Sequence, residues 1–256
     1  MKKIFTLAEG ATHVNNFSGR RKIAFTLAEV LITLGIIGVV AAMTMPTLIQ
    51  NHQKQTYVTG FKKGVSVIDN MFKKMQADEG VSSFWDTELS SQGNCYIDGS
   101  ETCEDWYGNP SVFERIIPKY IKTVKICKGA DCNVKYAYSN NVTLDSNGDI
   151  QKVDYSNLTK DKNIGTVMRL APFNYITENA ILGFYTNDGA IYYITPGGPF
   201  HGALIAIDSN GEKGPNQLGR DLIGYMYIGG KPYFEGLAWP HYYAKNIVQS
   251  GWKMNY

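Results

Sequence analysis

VLITLGIIGVVAAMTMPTLI, Val30 to Ile49, is the stretch whose reading decides the fold: twenty residues without one charged side chain. As a helix it covers about 30 Å, the hydrocarbon thickness of a bilayer. Its glycines, threonines and proline make it less apolar than a leucine-rich anchor, but hydroxyls that bond back to helix carbonyls keep such a segment insertable. Arg20, Arg21 and Lys22 stand before it and would hold its N-terminal side in the cytoplasm. A cleaved secretory signal calls for a shorter apolar core and a small-residue exit, and neither is present before Asn51. A plain signal anchor explains the length but not Glu29, because a carboxylate at the edge of a membrane helix needs a partner or a function.

KIAFTLAEVLITLGIIGVVAAM, Lys22 to Met43, resembles the N-terminal signature of type IV prepilins and type II secretion pseudopilins. The resemblance implies that a prepilin peptidase cuts between Ala24 and Phe25 and N-methylates Phe25. Glu29 then takes the fifth mature position, where the family keeps a glutamate, and Pro46 the twenty-second, where many members carry a helix-kinking proline. Ala24 departs from the glycine usual before the cut. Cleavage creates an amine on Phe25, and a carboxylate on an adjacent helix can neutralise it where an unpaired charge is costly. Glu29 and Pro46 are therefore expected to act in assembly, not catalysis. The motif Phe-Thr-Leu-Ala-Glu also occurs at Phe5 to Glu9, followed by polar residues that cannot span a membrane.

Downstream, Tyr57, Phe61, Val65, Ile68, Phe72 and Met75 recur at spacings of three and four, one apolar stripe of an amphipathic helix. Pro46 is expected to kink the helix, Gly60 and Gly64 to weaken it, and Gly80 to end it. Beyond it, alternating segments read as strands: Val124 to Ile126, Lys135 to Tyr138, Asn141 to Leu144, Ile181 to Tyr185, Ala190 to Ile194 and Leu204 to Ile207. Asn187-Asp188-Gly189 reads as a hairpin turn, Ser146 to Asp149 as another, and Ser111 to Lys122 as a short helix ending near Pro118. The expected class is α+β, pilin-like: leader 1–24, transmembrane and filament-core helix 25–50, amphipathic continuation 51–80, and an antiparallel head 81–256.

The 256 residues carry 25 basic and 23 acidic side chains, so no basic surplus points to nucleic acid. Seventeen tyrosines and 26 glycines suit a turn-rich, β-containing head. All four cysteines lie in that head. They allow three connectivities, of which the local pairs Cys95–Cys103 and Cys127–Cys132 are favoured, with a four-thiolate zinc site as the alternative.

IDSNGEKGPNQLGRD, Ile207 to Asp221, is the head's candidate for chemistry. Asp208, Asn210 and Glu212 alternate like the start of an oxygen-ligand calcium loop, without the spacing of an EF-hand. The stretch also resembles a C-terminal segment of pseudopilin-like proteins. That resemblance implies calcium bound through Asp208, Asn210, Asn216 and Asp221, the alternative being consecutive Asx turns without an ion. No hydrolase, zinc-protease or phosphate-loop motif occurs, and His201 and His241 stand far apart in sequence. The chain is thus expected to be a non-enzymatic subunit of a secretion pseudopilus or type IV pilus-like filament. Its partners would be copies of itself, other pilin-like subunits, prepilin peptidase, membrane lipid and an inner-membrane assembly platform. It would cross the bacterial inner membrane once, head outside, before joining an extracytoplasmic filament. The alternative is a single-span anchored binding or adhesive protein that does not polymerise.

Overall fold

The computed structural model describes residues 26–89, 110–147, 149–168, 180–196, 202–235 and 241–256. The cleavage pair Ala24 and Phe25, the pair Cys95 and Cys103, and His201 lie outside the described residues. Two compact units result, Met1–Leu48 and Ile49–Tyr256.

The first unit contains the start of α1 (Leu27–Glu79), a helix of 53 residues. Every described residue of it up to Leu48 is exposed except Ala41, which is half-buried. Thr33 and Thr44 donate to the carbonyls of Val30 and Val40, each at 3.0 Å, as expected for hydroxyls in an apolar helix. The helix runs through Pro46 without interruption. Lacking an N–H, that proline leaves the Ala42 carbonyl without its donor four residues on.

The second unit is built on a six-stranded antiparallel sheet ordered β1-β6-β7-β8-β9-β10. Its strands are β1 (Thr123–Lys128), β6 (Leu182–Thr186), β7 (Ile191–Pro196), β8 (Gly202–Asp208), β9 (Leu222–Ile228) and β10 (Lys231–Tyr233). Two small ladders stand apart from it, β2 (Tyr136–Ser139) with β5 (Leu158–Lys162) and β3 (Val142–Leu144) with β4 (Ile150–Val153). Short α-helices in the unit include α2 (Pro110–Ile116), α3 (Ile164–Met168) and α4 (His241–Gln249). An α+β fold with a long apolar helix and an antiparallel sheet is therefore present, as the sequence suggested.

The stripe on α1 is the hinge of this packing. Val58, Phe61, Gly64, Val65, Ile68, Met71, Phe72 and Met75 are buried. Phe72 stacks on Tyr227 of β9 at 4.1 Å between centroids, and Phe61 meets Tyr225 edge-on at 5.9 Å. Gly60 and Gly64 bear a different meaning from the expected weak point. A Cβ at Gly60 would stand 2.5 Å from Ser209 Cβ, and one at Gly64 2.7 Å from Ile207 Cδ1. Both glycines trade helix propensity for close approach of α1 to the end of β8. Gly80 does end the helix, with φ +67.

Six strands read from the sequence are present with small shifts of boundary, and the turn at Asn187 to Gly189 joins β6 to β7. Among the described residues β4, β5, β9, β10, α3 and α4 are additional. β9 was not anticipated because LIGYMYI is buried on both faces and shows no alternation. β4 and β5 are short and largely polar on their exposed faces, so their pattern resembles loop. Cys127 and Cys132 form a disulfide with Cα atoms 5.0 Å apart, which removes both thiols from any four-thiolate zinc site. Gly183 makes room for it, since a Cβ there would lie 2.6 Å from Cys127 Sγ.

Candidate functional site

Two places carry the residues singled out by sequence: the start of α1 and the loop between β8 and β9.

At the start of α1, the Thr26 N–H and hydroxyl both donate to Glu29 Oε2 at 2.8 Å. The Glu29 N–H donates back to Thr26 Oγ1 at 3.2 Å. This is a capping box, which satisfies amides otherwise orphaned at a helix start and sets a negative charge at the positive end of the dipole. Thr-x-x-Glu spacing made it legible in the sequence, although only the glutamate was singled out. Among the described residues Glu29 Oε1 accepts no hydrogen bond, so one carboxylate oxygen remains available. Around it the helix presents bare apolar surface: Leu27 is 77% exposed, Leu31 60%, Ile36 60% and Leu48 71%. The mean hydropathy of its most apolar window is 2.2, so α1 is long and apolar enough to cross a membrane.

The second place begins where β8 ends. Asp208 is fully buried and pairs in register with Leu222, while the Ser209 N–H donates to the Asp221 carbonyl at 3.0 Å. The intervening loop folds back on itself through Gly211, at φ +64, where a Cβ would strike the Gly189 carbonyl. Asp208 Oδ1 accepts from the N–H groups of Gly211 and Asn210 at 2.8 and 3.2 Å. Its Oδ2 accepts from the Tyr136 hydroxyl at 2.7 Å, and that hydroxyl lies 2.9 Å from the hydroxyl of Tyr193. Asp221 accepts from the N–H groups of Gln217 and Asn216 at 2.6 and 2.7 Å. Asn216, with its amide turned to satisfy its neighbours, donates to the carbonyls of Gly211 and Lys213 at 3.0 and 3.1 Å.

Burial pushes the Asp208 carboxyl up to about 8, and the neighbouring Asp221 charge adds to that. Asp221 is also raised by burial, with the Gln217 and Asn216 N–H groups pulling the other way. Tyr136 is held well above the usual tyrosine range by desolvation and by Asp208. No ion pair compensates either carboxylate among the described residues.

Asp208, Asn210, Asn216 and Asp221 are thus brought together on one loop. All their offered atoms suited to a cation are oxygens, and Asn210 Oδ1 is buried without a hydrogen-bond partner among the described residues. No group of three histidine, cysteine, aspartate or glutamate side chains converges among the described residues, so carbonyls and water would complete any coordination. Glu212 makes no hydrogen bond among the described residues. Tyr136, which satisfies Asp208 from a different ladder, was not anticipated, and nothing in its local sequence signals that role.

No protein-family model matches the chain, and no curated protein or solved structure matches it. Functional inference therefore rests on the two sites themselves. The helix start offers a charge beside lipid-compatible surface, and the loop offers two buried carboxylates whose mutual repulsion a cation would relieve.

Proposed function

We propose that the chain is a subunit of a helix-cored filament of the type IV pilin or type II secretion pseudopilin kind, with no enzymatic activity. The observation that carries this reading is the charge-free, exposed helix following Glu29, a surface fit for lipid first and for copies of the same helix afterwards. In this reading prepilin peptidase cuts between Ala24 and Phe25 at the inner membrane, and Phe25 is N-methylated. Glu29, held by Thr26 through one oxygen, offers the other to the new amine of a neighbouring subunit. Pro46 loosens the helix so that it can repack in the filament. The assembly platform and other pilin-like subunits are its partners, and the head faces outside the cytoplasm.

Mass spectrometry of the mature N-terminus tests processing: a methylated Phe25 is expected, and an intact Met1 overturns the reading. Glu29→Leu tests assembly. The variant should insert in the membrane normally and fail to enter filaments, whereas normal incorporation excludes the pairing role and favours an anchored protein that does not polymerise.

In the same reading a calcium ion is held at the β8–β9 loop by Asp208, Asn210, Asn216 and Asp221. Bound there, the ion would supply positive charge that neutralises the two buried carboxylates and rigidifies the loop. Calcium should raise the thermal midpoint of the full chain relative to chelator, and Asp221→Asn should abolish the difference.

A further inference from the structure

We propose that the groove between residues 51–59 of α1 and the C-terminal segment 252–255 binds the phosphate of an anionic phospholipid headgroup. The inference rests on the reading of α1 as a membrane span. Both walls of the groove belong to the same compact unit, and its volume is about 430 Å³.

Its chemistry suits an anion. Lys54 of α1 and Lys253 of the C-terminal segment line it, together with Asn51, Gln55 and Asn255, and no acidic side chain lines it among the described residues. Lys54 and Lys253 form no ion pair among the described residues. Trp252 also lines it, packed against Phe61 at 6.1 Å with the Lys62 ammonium 5.2 Å from its ring. An aromatic ring with cations around it is what the membrane–water interface selects.

The height along the helix also fits. Ile49 closes the apolar run and Lys54 follows five residues later, about 7–8 Å along a helix. A headgroup layer is roughly 5–8 Å thick on each side of the hydrocarbon core. A free phosphate has no acyl chains to keep it at that level, so the lipid is the favoured source. Such a contact would steady the head at the membrane before the subunit is withdrawn.

The test uses the full chain in mild detergent, titrated with phosphatidylglycerol or phosphatidylcholine and read by native mass spectrometry. Wild type should retain phosphatidylglycerol preferentially. Lys54→Gln with Lys253→Gln should lower that retention by roughly tenfold or more, since each lysine near an anionic surface is worth several-fold. Lys54→Arg with Lys253→Arg should restore it, and the exposed control pair Lys119→Gln with Lys122→Gln should leave it unchanged. Equal retention by wild type and the glutamine variant overturns the inference, as does an equal loss in the control pair. Binding of inorganic phosphate to the lipid-free chain as tightly as phosphatidylglycerol overturns the lipid as the source. Alkaline carbonate extraction of vesicles containing the chain separates the underlying reading: release from the vesicles sinks the span and the inference together. A chain that stays embedded while lysine removal changes nothing sinks the inference alone.

Discussion

Gly35 and Gly38 near one end of α1 and Gly60 and Gly64 further along it are the same residue in the same helix, yet their surroundings are opposite. A Cβ added at Gly35 or Gly38 meets nothing within 4 Å, whereas at Gly60 and Gly64 it collides with Ser209 and Ile207. The contrast extends to the large side chains, exposed throughout the first stretch and buried along one stripe in the second. Among the described residues, one stretch has packed partners and the other has none. Apolar surface left in water forfeits about 25 cal/mol for each Å², which is why a cover of lipid or of another helix belongs to the proposed function.

The sharpest way to break this comparison is to truncate one large side chain in each stretch. Phe72 is fully buried between Tyr227 and Phe84, so Phe72→Ala should cost about 3–5 kcal/mol in denaturant unfolding of the head. Leu34 is 59% exposed, and Leu34→Ala should change the same transition by less than about 0.5 kcal/mol. Comparable losses would mean that the first stretch has an internal partner after all.

The glycines give a smaller and more specific effect. Gly64→Leu forces side-chain atoms into Ile207 and should cost about 1–3 kcal/mol, seen as a lower denaturant midpoint. Gly35→Ala should cost the head nothing and favour the helix locally by roughly 0.5–1 kcal/mol, since alanine is the better helix former. Reduced filament incorporation in Gly35→Ala, with an unchanged midpoint, would show that the open space is filled by another helix.

The two stretches were also unequally legible in the sequence. The first could be read because absence of charge over a fixed length is a one-dimensional property. So could the stripe from Tyr57 to Met75, whose period is local. The reason for Gly60 and Gly64 could not be read, because it lies in Ser209 and Ile207, far along the chain. The same is true of the loop site. Asp208 and Asp221 stood out for their spacing among glycines and asparagines, but Tyr136 reaches Asp208 across 72 positions. β9 carries no strand signal because burial of both faces erases alternation, and β4 and β5 carry none because polar ladders resemble loops.

The carboxylates divide along the same line, and pH separates them. Asp208 is buried and its folded pKa, pushed up to about 8, lies above the ordinary value of 3.8, so the folded state holds a proton that the unfolded chain has lost. Stability is full below about 4 and falls as pH rises towards 8, by on the order of 1 kcal/mol or more in the presence of chelator. Thermal melts across that range should show the decline, and Asp208→Asn should flatten it. A melt of wild type that is level from pH 4 to 8 would mean the Asp208 charge is already compensated.

Glu29 is the exposed member of the pair, and the smallest effect separates its two roles. Thr26→Val removes the oxygen that accepts from the Glu29 N–H, so amide exchange in the first turn should quicken while the head's melt stays unchanged. Glu29→Gln retains an acceptor for the Thr26 N–H and hydroxyl, since glutamine serves a capping box as glutamate does. Exchange in the first turn should then stay near that of the wild type. The charge is nonetheless gone, and with it the counter-ion proposed for a neighbour's amine. Normal exchange with failed incorporation would therefore assign assembly to the charge and helix capping to the shape. If Glu29→Gln enters filaments as readily as wild type, the glutamate is a cap and the amine finds its counter-charge elsewhere.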